Sequence, residues 1–217
     1  MKKYIVEFIG TFFLLLVIGN TVIPPGDAGD MAPLAIGVGL MVMIFAGGHI
    51  SGAHFNPAVT LGVFLRGKCD VKDVVPYVAV QIAGAAAAAF TVMFLKGQEA
   101  MAAVEKATAA ATTNVPAALT AEVLGTFALV WVILNVATAK GTEGNSFYGL
   151  AIGLTVTAMA YSLGGYSGGA FNPAVAIGIS LMKLAVWKNI WIYMAANFGG
   201  GALAAVVFKI VNDKDEE

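Results

Sequence analysis

Long apolar stretches separated by short polar segments dominate the chain. Six of them are long enough to cross a bilayer, because about 20 helical residues at roughly 1.5 Å each span a hydrocarbon core of about 30 Å. These stretches cover residues 4–23, 33–48, 74–95, 117–139, 147–165 and 186–211. The pattern therefore predicts an all-α membrane protein with six transmembrane helices.

Two further apolar runs, 57–66 and 173–182, are too short to cross. Ten helical residues span about 15 Å, which is half of the hydrocarbon core. Each run is introduced by Asn-Pro and follows a glycine-rich stretch, 47–55 or 164–171. Non-helical backbone at membrane depth must be buried in protein or line a water-filled cavity. We therefore expect two re-entrant segments, in which a loop enters the membrane and a half-helix returns.

The chain contains an internal repeat. The segment EFIGTFFL, which begins at Glu7, recurs as EVLGTFAL from Glu122, and SGAHFNPAV from Ser51 recurs as SGGAFNPAV from Ser167. Each half holds three spans, an odd number, so the second half enters the membrane from the opposite face and forms an inverted repeat. We expect residues 1–95 to form the first repeat, residues 96–116 a linker and residues 117–217 the second repeat.

Asn56 and Asn172 are predicted to begin the two half-helices. Asparagine is a favoured N-cap, and proline suits the first helical position because its missing N–H would be unpaired there. The inversion brings together two helix N-termini, each with roughly half a positive charge, near the bilayer centre. A neutral solute would meet the two side-chain amides and the exposed loop carbonyls. These candidate pore carbonyls belong to Gly52, Ala53, His54, Phe55, Gly168, Ala170 and Phe171.

Two Asn-Pro-Ala motifs occupy equivalent positions in the repeats. They consist of Asn56, Pro57 and Ala58 and of Asn172, Pro173 and Ala174. With the glycine-rich stretches before them and the repeated Glu-x-x-Gly-Thr-Phe, they resemble the aquaporin (major intrinsic protein) family over nearly the whole chain. The resemblance implies the aquaporin fold and a homotetramer with one pore in each subunit. Such a pore passes water or small uncharged solutes passively and excludes ions.

The selectivity constriction departs from the usual pattern of the family. Most members have an arginine directly after the second Asn-Pro-Ala, where this chain has Val175, and its single arginine is Arg66. Spacing from the motifs places the other constriction positions at Ile36, Ala160 and Gly169. We expect a wide, apolar ring that admits glycerol, urea or neutral hydroxy acids of boron, silicon or arsenic, and weaker proton exclusion. The alternative is that nearby loop residues refill the mouth.

Two carboxylates lie inside apolar helices, where a charge is costly. Glu7 and Glu122 could relay protons in a coupled transporter, or they could accept hydrogen bonds from backbone N–H groups of the re-entrant loops. Their equivalent positions in the two repeats favour the second interpretation, and the resemblance implies the same role. The resemblance also places His54 in the inner half of the pore.

The composition supports membrane insertion and excludes several other classes. Hydrophobic residues make up 59% of the chain and charged residues 12%, against about 25% charged residues in soluble domains. A net charge of −1 argues against nucleic acid as a partner. Cys69 is the only cysteine, and no cluster has metal-ligand spacing. We expect no metal, no cofactor and no enzymatic activity.

The basic residues predict the orientation in the membrane. With six spans, both termini lie on one side, which then carries eight Lys and Arg residues against four on the other. The eight are Lys2, Lys3, Arg66, Lys68, Lys72, Lys140, Lys209 and Lys214. We therefore expect a multi-pass protein of the cell (plasma) membrane with both termini cytoplasmic.

A passive channel is the leading functional hypothesis. A secondary transporter of a small neutral solute is an alternative, because inverted repeats also occur in transporters. A structural or adhesive membrane tetramer is a third possibility, although the short loops offer little material for adhesion.

Overall fold

The computed structural model describes residues 1–212. Lys214, which the orientation count includes, and the end of the second repeat lie outside the described residues. Within residues 1–212 there are eight α-helices and no β-strand. The helices are α1 (Lys2–Val22), α2 (Ala32–Ser51), α3 (Pro57–Leu65), α4 (Val71–Ala110), α5 (Val115–Thr138), α6 (Tyr148–Ser167), α7 (Pro173–Leu181) and α8 (Ile190–Val211).

Five helices of the described chain are long and apolar enough to cross a membrane. They are α1, α2, α4, α5 and α8, and α2 and α8 are counted with the short 3₁₀ turns before them. The sixth predicted span, α6, has 20 residues, but its Gly, Ser, Thr and Tyr residues lower its hydropathy. It packs against α2 and α5 within the bundle, as a sixth spanning helix should.

The re-entrant loops are shorter than the glycine-rich stretches predicted from sequence. Helix α2 continues to Ser51 and α6 to Ser167, and the next residues, Gly52 (φ 83°) and Gly168 (φ 89°), are left-handed C-caps. A left-handed residue after the last helical turn is usually glycine, because it has no Cβ to clash. The non-helical backbone is therefore confined to about five residues before each half-helix.

The linker predicted at 96–116 contains a second helical segment. Helix α4 is interrupted at Gly97 (φ 80°, ψ 168°) and then continues to Ala110. Met101 is buried in this segment, and Glu105 forms an ion pair with Lys183 (3.1 Å) just after α7. The linker is therefore packed onto the bundle.

The two repeats interlock through their half-helices. Helix α1 packs along α4 in the first repeat, and α5 packs along α8 in the second. The half-helix α3 packs mainly against α8, whereas α7 packs mainly against α4. Each half-helix thus completes its packing on the last helix of the other repeat, which brings the N-termini of α3 and α7 together inside the bundle.

We call the side where α1 begins and α8 ends the terminal face. Lys3 in the first turn of α1 pairs with Asp73 in the first turn of α4. The guanidinium of Arg66, at the end of α3, lies over the ring of Phe208 in α8, 4.9 Å from its centroid. These contacts place the α3–α4 loop on the terminal face.

We call the opposite side the linker face. There the Lys96 Nζ donates a hydrogen bond to the carbonyl of Pro25 (2.8 Å). The Tyr161 hydroxyl donates to the carbonyl of Asp30 (2.9 Å). The α1–α2 loop, the linker and the end of α6 therefore share this face.

Candidate solute pore

The two Asn-Pro-Ala motifs are joined by reciprocal hydrogen bonds. Asn56 Nδ2 donates to the carbonyl of Phe171 (2.9 Å), and Asn172 Nδ2 donates to the carbonyl of Phe55 (2.9 Å). The side-chain oxygens cap their own helices by accepting from the backbone N–H of Ala58 and of the equivalent alanine in α7. Because an amide nitrogen has two hydrogens, each asparagine keeps a second donor for a solute.

Glu7 connects α1 to the first re-entrant loop. Its Oε1 accepts from Ser51 Oγ (2.7 Å) and from the backbone N–H of His54 (2.9 Å). Its Oε2 accepts from the backbone N–H of Phe55 (2.7 Å) and from Gln81 Nε2 (2.8 Å). The carboxylate is fully buried, so these four donors replace its hydration.

Glu122 makes the corresponding contacts in the second repeat. Its Oε1 accepts from Ser167 Oγ (2.6 Å) and from the N–H of Ala170 (2.9 Å), and its Oε2 accepts from the N–H of Phe171 (2.8 Å). With its amide nitrogen turned toward this carboxylate, Asn197 donates to Oε2 (2.8 Å). Both loops are therefore fixed by a buried carboxylate from the first helix of their repeat.

The loop backbone adopts conformations that are uncommon for residues with a side chain. Phe55 and Phe171 both have φ of 47°, and Ala53 has φ of 49°. Such left-handed residues are strained unless the surrounding structure holds them. The carboxylate contacts of Glu7 and Glu122 supply this support, and the Phe55 and Phe171 carbonyls become acceptors for the asparagines.

A central cavity of about 40 Å³ lies between the two loops. It is lined by both asparagines and, among the predicted pore-carbonyl residues, by Ala53, His54, Phe55, Ala170 and Phe171. Gly52 lines a neighbouring cavity instead, and Gly168 is not among the lining residues of either.

Three of the four predicted constriction residues line the central cavity. These are Ile36, Gly169 and Val175, whereas Ala160 is absent from its lining. Ile44, the equivalent of Ala160 in the first repeat, does line it. The wall is therefore apolar at these positions, without an arginine.

The central cavity is small. Its volume of about 40 Å³ holds only a few water molecules, because one water needs about 10–15 Å³ measured this way. Aliphatic side chains outside the predicted site complete the lining of the cavity. They are Leu14, Ile18, Leu40, Ile44, Val59, Leu129, Ile133, Ile152 and Val156.

Two sequence signals could have found these residues. Several lie four residues apart on one helix, such as Leu14 and Ile18 in α1, which places them on one helix face. Most also occur in pairs at the repeat offset, such as Leu14 with Leu129. A wall position in one repeat therefore predicts its counterpart in the other.

His54 lies where the central cavity meets two larger cavities of the terminal face. These have volumes of about 680 Å³ and 430 Å³, and His54 lines all three. Its side chain is buried, with Nδ1 3.1 Å from Thr60 Oγ1. The ring also packs edge-on against Tyr77, with centroids 5.1 Å apart. His54 therefore borders both the central cavity and the cavities of the terminal face.

No group of three or more His, Cys, Asp or Glu residues that could hold a metal ion occurs among residues 1–212.

The family model for major intrinsic proteins matches residues 1–208. The chain belongs to the major intrinsic protein family. Proteins of this family are membrane channels rather than enzymes, so the predicted family, fold and lack of enzymatic activity are confirmed.

Relatives with this family's names match nearly the whole chain. Glycerol uptake facilitator protein-like 6 of Lactiplantibacillus plantarum is 34% identical over 99% of this chain and 100% of its own. Aquaporin AqpM of Methanothermobacter thermautotrophicus is 32% identical, with 98% of each chain covered. Aquaporin NIP1-3 of Oryza sativa is 35% identical over 99% of this chain and 75% of its own.

The fold also matches that of a solved major intrinsic protein. The X-ray structure of the aquaglyceroporin from Plasmodium falciparum superposes with a TM-score of 0.80 at 22% sequence identity, and the match covers 99% of this chain and 98% of that one. The fold is therefore the aquaporin fold, with six spanning helices and two re-entrant half-helices.

Proposed function

We propose that this major intrinsic protein is a passive channel for water and small uncharged solutes, with the central cavity as the middle part of its pore. The reciprocal hydrogen bonds of Asn56 and Asn172 carry this proposal. They hold two helix N-termini at one point of an apolar cavity, and each amide retains a donor for a passing oxygen. A solute therefore meets polar partners on one side and an apolar wall on the other.

The cavity dimensions favour water and slender neutral solutes. Its apolar wall gives no compensation to an ion that loses its hydration shell, and the two helix N-termini oppose cations directly. Glycerol and urea are candidate larger solutes, in line with the glycerol uptake facilitator among the relatives. Neutral hydroxy acids of boron, silicon or arsenic belong to the same class.

The constriction at the linker face is proposed to consist of Ile36, Ala160, Gly169 and Val175. Without an arginine, this ring discriminates by size and by the cost of dehydration. Cation exclusion then depends on the helix N-termini of α3 and α7.

The buried carboxylates support a coupled transporter less well than they support a passive channel. Proton coupling needs an ionisable group that a substrate or proton can reach. Glu7 and Glu122 are fully buried, and loop and side-chain donors already occupy both oxygens of each. We therefore propose that both act as structural braces for the loops.

We further propose a homotetramer in the cell membrane with cytoplasmic termini. The terminal face carries more of the basic residues than the linker face, as expected for a cytoplasmic side. The outside of the bundle is strongly apolar, with Val75, Phe94 and Ile210 more than two-thirds exposed. Such a surface suits lipid and neighbouring subunits.

Stopped-flow light scattering on proteoliposomes tests the channel function. Vesicles with and without the protein are compared for water, glycerol, urea and boric acid flux. A channel gives flux that rises linearly with the gradient and has a low activation energy. Saturation at low solute concentration together with counterflow would indicate a transporter, and flux equal to that of empty vesicles would contradict both.

A further inference from the structure

We infer that Lys68 forms an electrostatic barrier to cations at the mouth of the pore on the terminal face. The inference rests on the proposed channel function and adds a charged selectivity element to it. Lys68 lines both the 680 Å³ cavity and the 430 Å³ cavity. Both cavities meet the central cavity at His54. A cation entering from the terminal face therefore passes this ammonium group.

The Lys68 charge is uncompensated within the described chain. Its side chain is exposed, and it forms no ion pair with any of residues 1–212. The other charges around the 430 Å³ cavity are matched, since Lys3 pairs with Asp73 and Asp70 pairs with Lys72 (3.1 Å). The lining therefore holds two lysines and two aspartates, and Lys68 is the one of these four that forms no ion pair within residues 1–212.

Lys68 also lines the larger cavity, together with Lys140 and Glu143. His49, His54 and Tyr148 are the other titratable residues of that lining. Lys68 is the lysine that the linings of both cavities share.

The predicted constriction residues that line the central cavity carry no charge. Ile36, Gly169 and Val175 line the central cavity where many family members have an arginine. A cleft with low-dielectric walls concentrates the field of a charge at its entrance. A unit charge about 8 Å from a cation in water lowers the local cation concentration about twofold, and reversing the charge changes it about fivefold. Neutral solutes do not respond to this field.

The test uses the full chain in proteoliposomes with Lys68→Gln, Lys68→Glu and, as a matched control, Lys2→Gln. Lys2 is an exposed lysine of the same face, and it is not among the lining of either cavity. Proton leak is measured with an enclosed pH-sensitive dye and potassium leak by flux. Both are measured at about 10 mM salt, where the Debye length is about 30 Å, and at about 1 M, where it is about 3 Å. Water flux is measured in the same vesicles.

At low salt we expect both leaks to rise about twofold in Lys68→Gln and about fivefold in Lys68→Glu. High salt should remove most of the difference, and water flux should stay unchanged. Equal leaks in Lys68→Glu and the unsubstituted protein would overturn the inference, as would a rise in Lys2→Gln equal to that in Lys68→Gln. Loss of water flux in the unsubstituted protein would instead contradict the channel function itself.

Discussion

The ring of Phe55 lies directly against Gly10, so closely that a Cβ at position 10 would overlap three of its ring carbons. The second repeat has the same relationship between Phe171 and Gly125. In each repeat, the first helix carries the carboxylate that holds the re-entrant loop. The same helix has a glycine that leaves space for the phenylalanine ring of that loop. The carbonyl of this phenylalanine accepts a hydrogen bond from the asparagine of the other repeat. The first helix of each repeat therefore shapes its loop both by hydrogen bonding and by packing.

Gly10→Ala should displace Phe55 and weaken both the fold and the pore. Overpacking a close contact costs about 1–3 kcal/mol, and the displaced carbonyl no longer meets Asn172. We expect a lower midpoint of thermal unfolding in detergent and reduced water flux. Gly199→Ala is the control, because a Cβ there meets no atom within 4 Å. If Gly10→Ala behaved like this control, the packing argument would be wrong.

Val175→Arg should reduce the flux of glycerol and urea more than that of water. Val175 lines the small central cavity, so a guanidinium there adds both bulk and positive charge. Val175→Met provides bulk without charge and separates the two effects. Stopped-flow measurements on both variants check the prediction, and unchanged glycerol flux in Val175→Arg would contradict the proposed constriction.

Ile44→Ala should widen the pore and raise urea and glycerol flux. Ile44 lines the cavity and corresponds to Ala160, which does not, so the substitution makes the two repeats alike there. The lost packing costs about 2–5 kcal/mol, which a thermal unfolding measurement would show. Ile9→Ala removes an equal side chain from a 44% exposed position on the bundle surface and should leave solute flux unchanged. A lack of increase in Ile44→Ala would mean that the cavity does not limit passage.

Glu7→Gln and Glu122→Gln should impair the pore to a similar extent. Each carboxylate accepts hydrogen bonds at both oxygens, whereas an amide has only one acceptor atom, so one donor loses its partner at a cost of about 1–3 kcal/mol. We expect lower thermal stability and lower water flux in both variants. A variant that kept full stability and passive flux but lost accumulation of solute against its gradient would support coupling instead.

Cys69 should react slowly with thiol reagents at neutral pH and should not control flux. Burial raises the pKa of its thiol, and nearby Asp73 and Asp70 add to this effect. Because the thiolate is the reactive form, the rate of maleimide labelling should increase as the pH rises above neutral. Cys69 borders the 430 Å³ cavity and not the central one. Inhibition of water flux by a mercurial in the unmodified chain, but not in Cys69→Ser, would contradict this assignment.

The sequence predicts the repeat, the two half-helices and the family, because each depends on residues at fixed spacing. Asn56 and Asn172 could be paired from the inversion alone. Their partners could not, because the acceptors are backbone carbonyls of Phe55 and Phe171, whose positive φ values have no sequence signature.

The cavity wall was harder to predict for a different reason. In an apolar membrane helix, the side that faces the pore and the side that faces lipid have similar composition, so Leu14 and Phe13 look alike in sequence. Their environments differ, since Leu14 lines the cavity and Phe13 is 42% exposed on the outside. Which side of an apolar helix lines the cavity depends on how the helix packs, which composition does not encode.

The exchange of half-helices between repeats has a consequence for biosynthesis. When the ribosome has made the first repeat, α3 has been synthesised, but its main packing partner, α8, begins only at Ile190. The first re-entrant segment must therefore wait in the membrane, held by α1 and α4, until translation is almost complete. A prematurely terminated chain would keep its first helices yet lack a finished conduit.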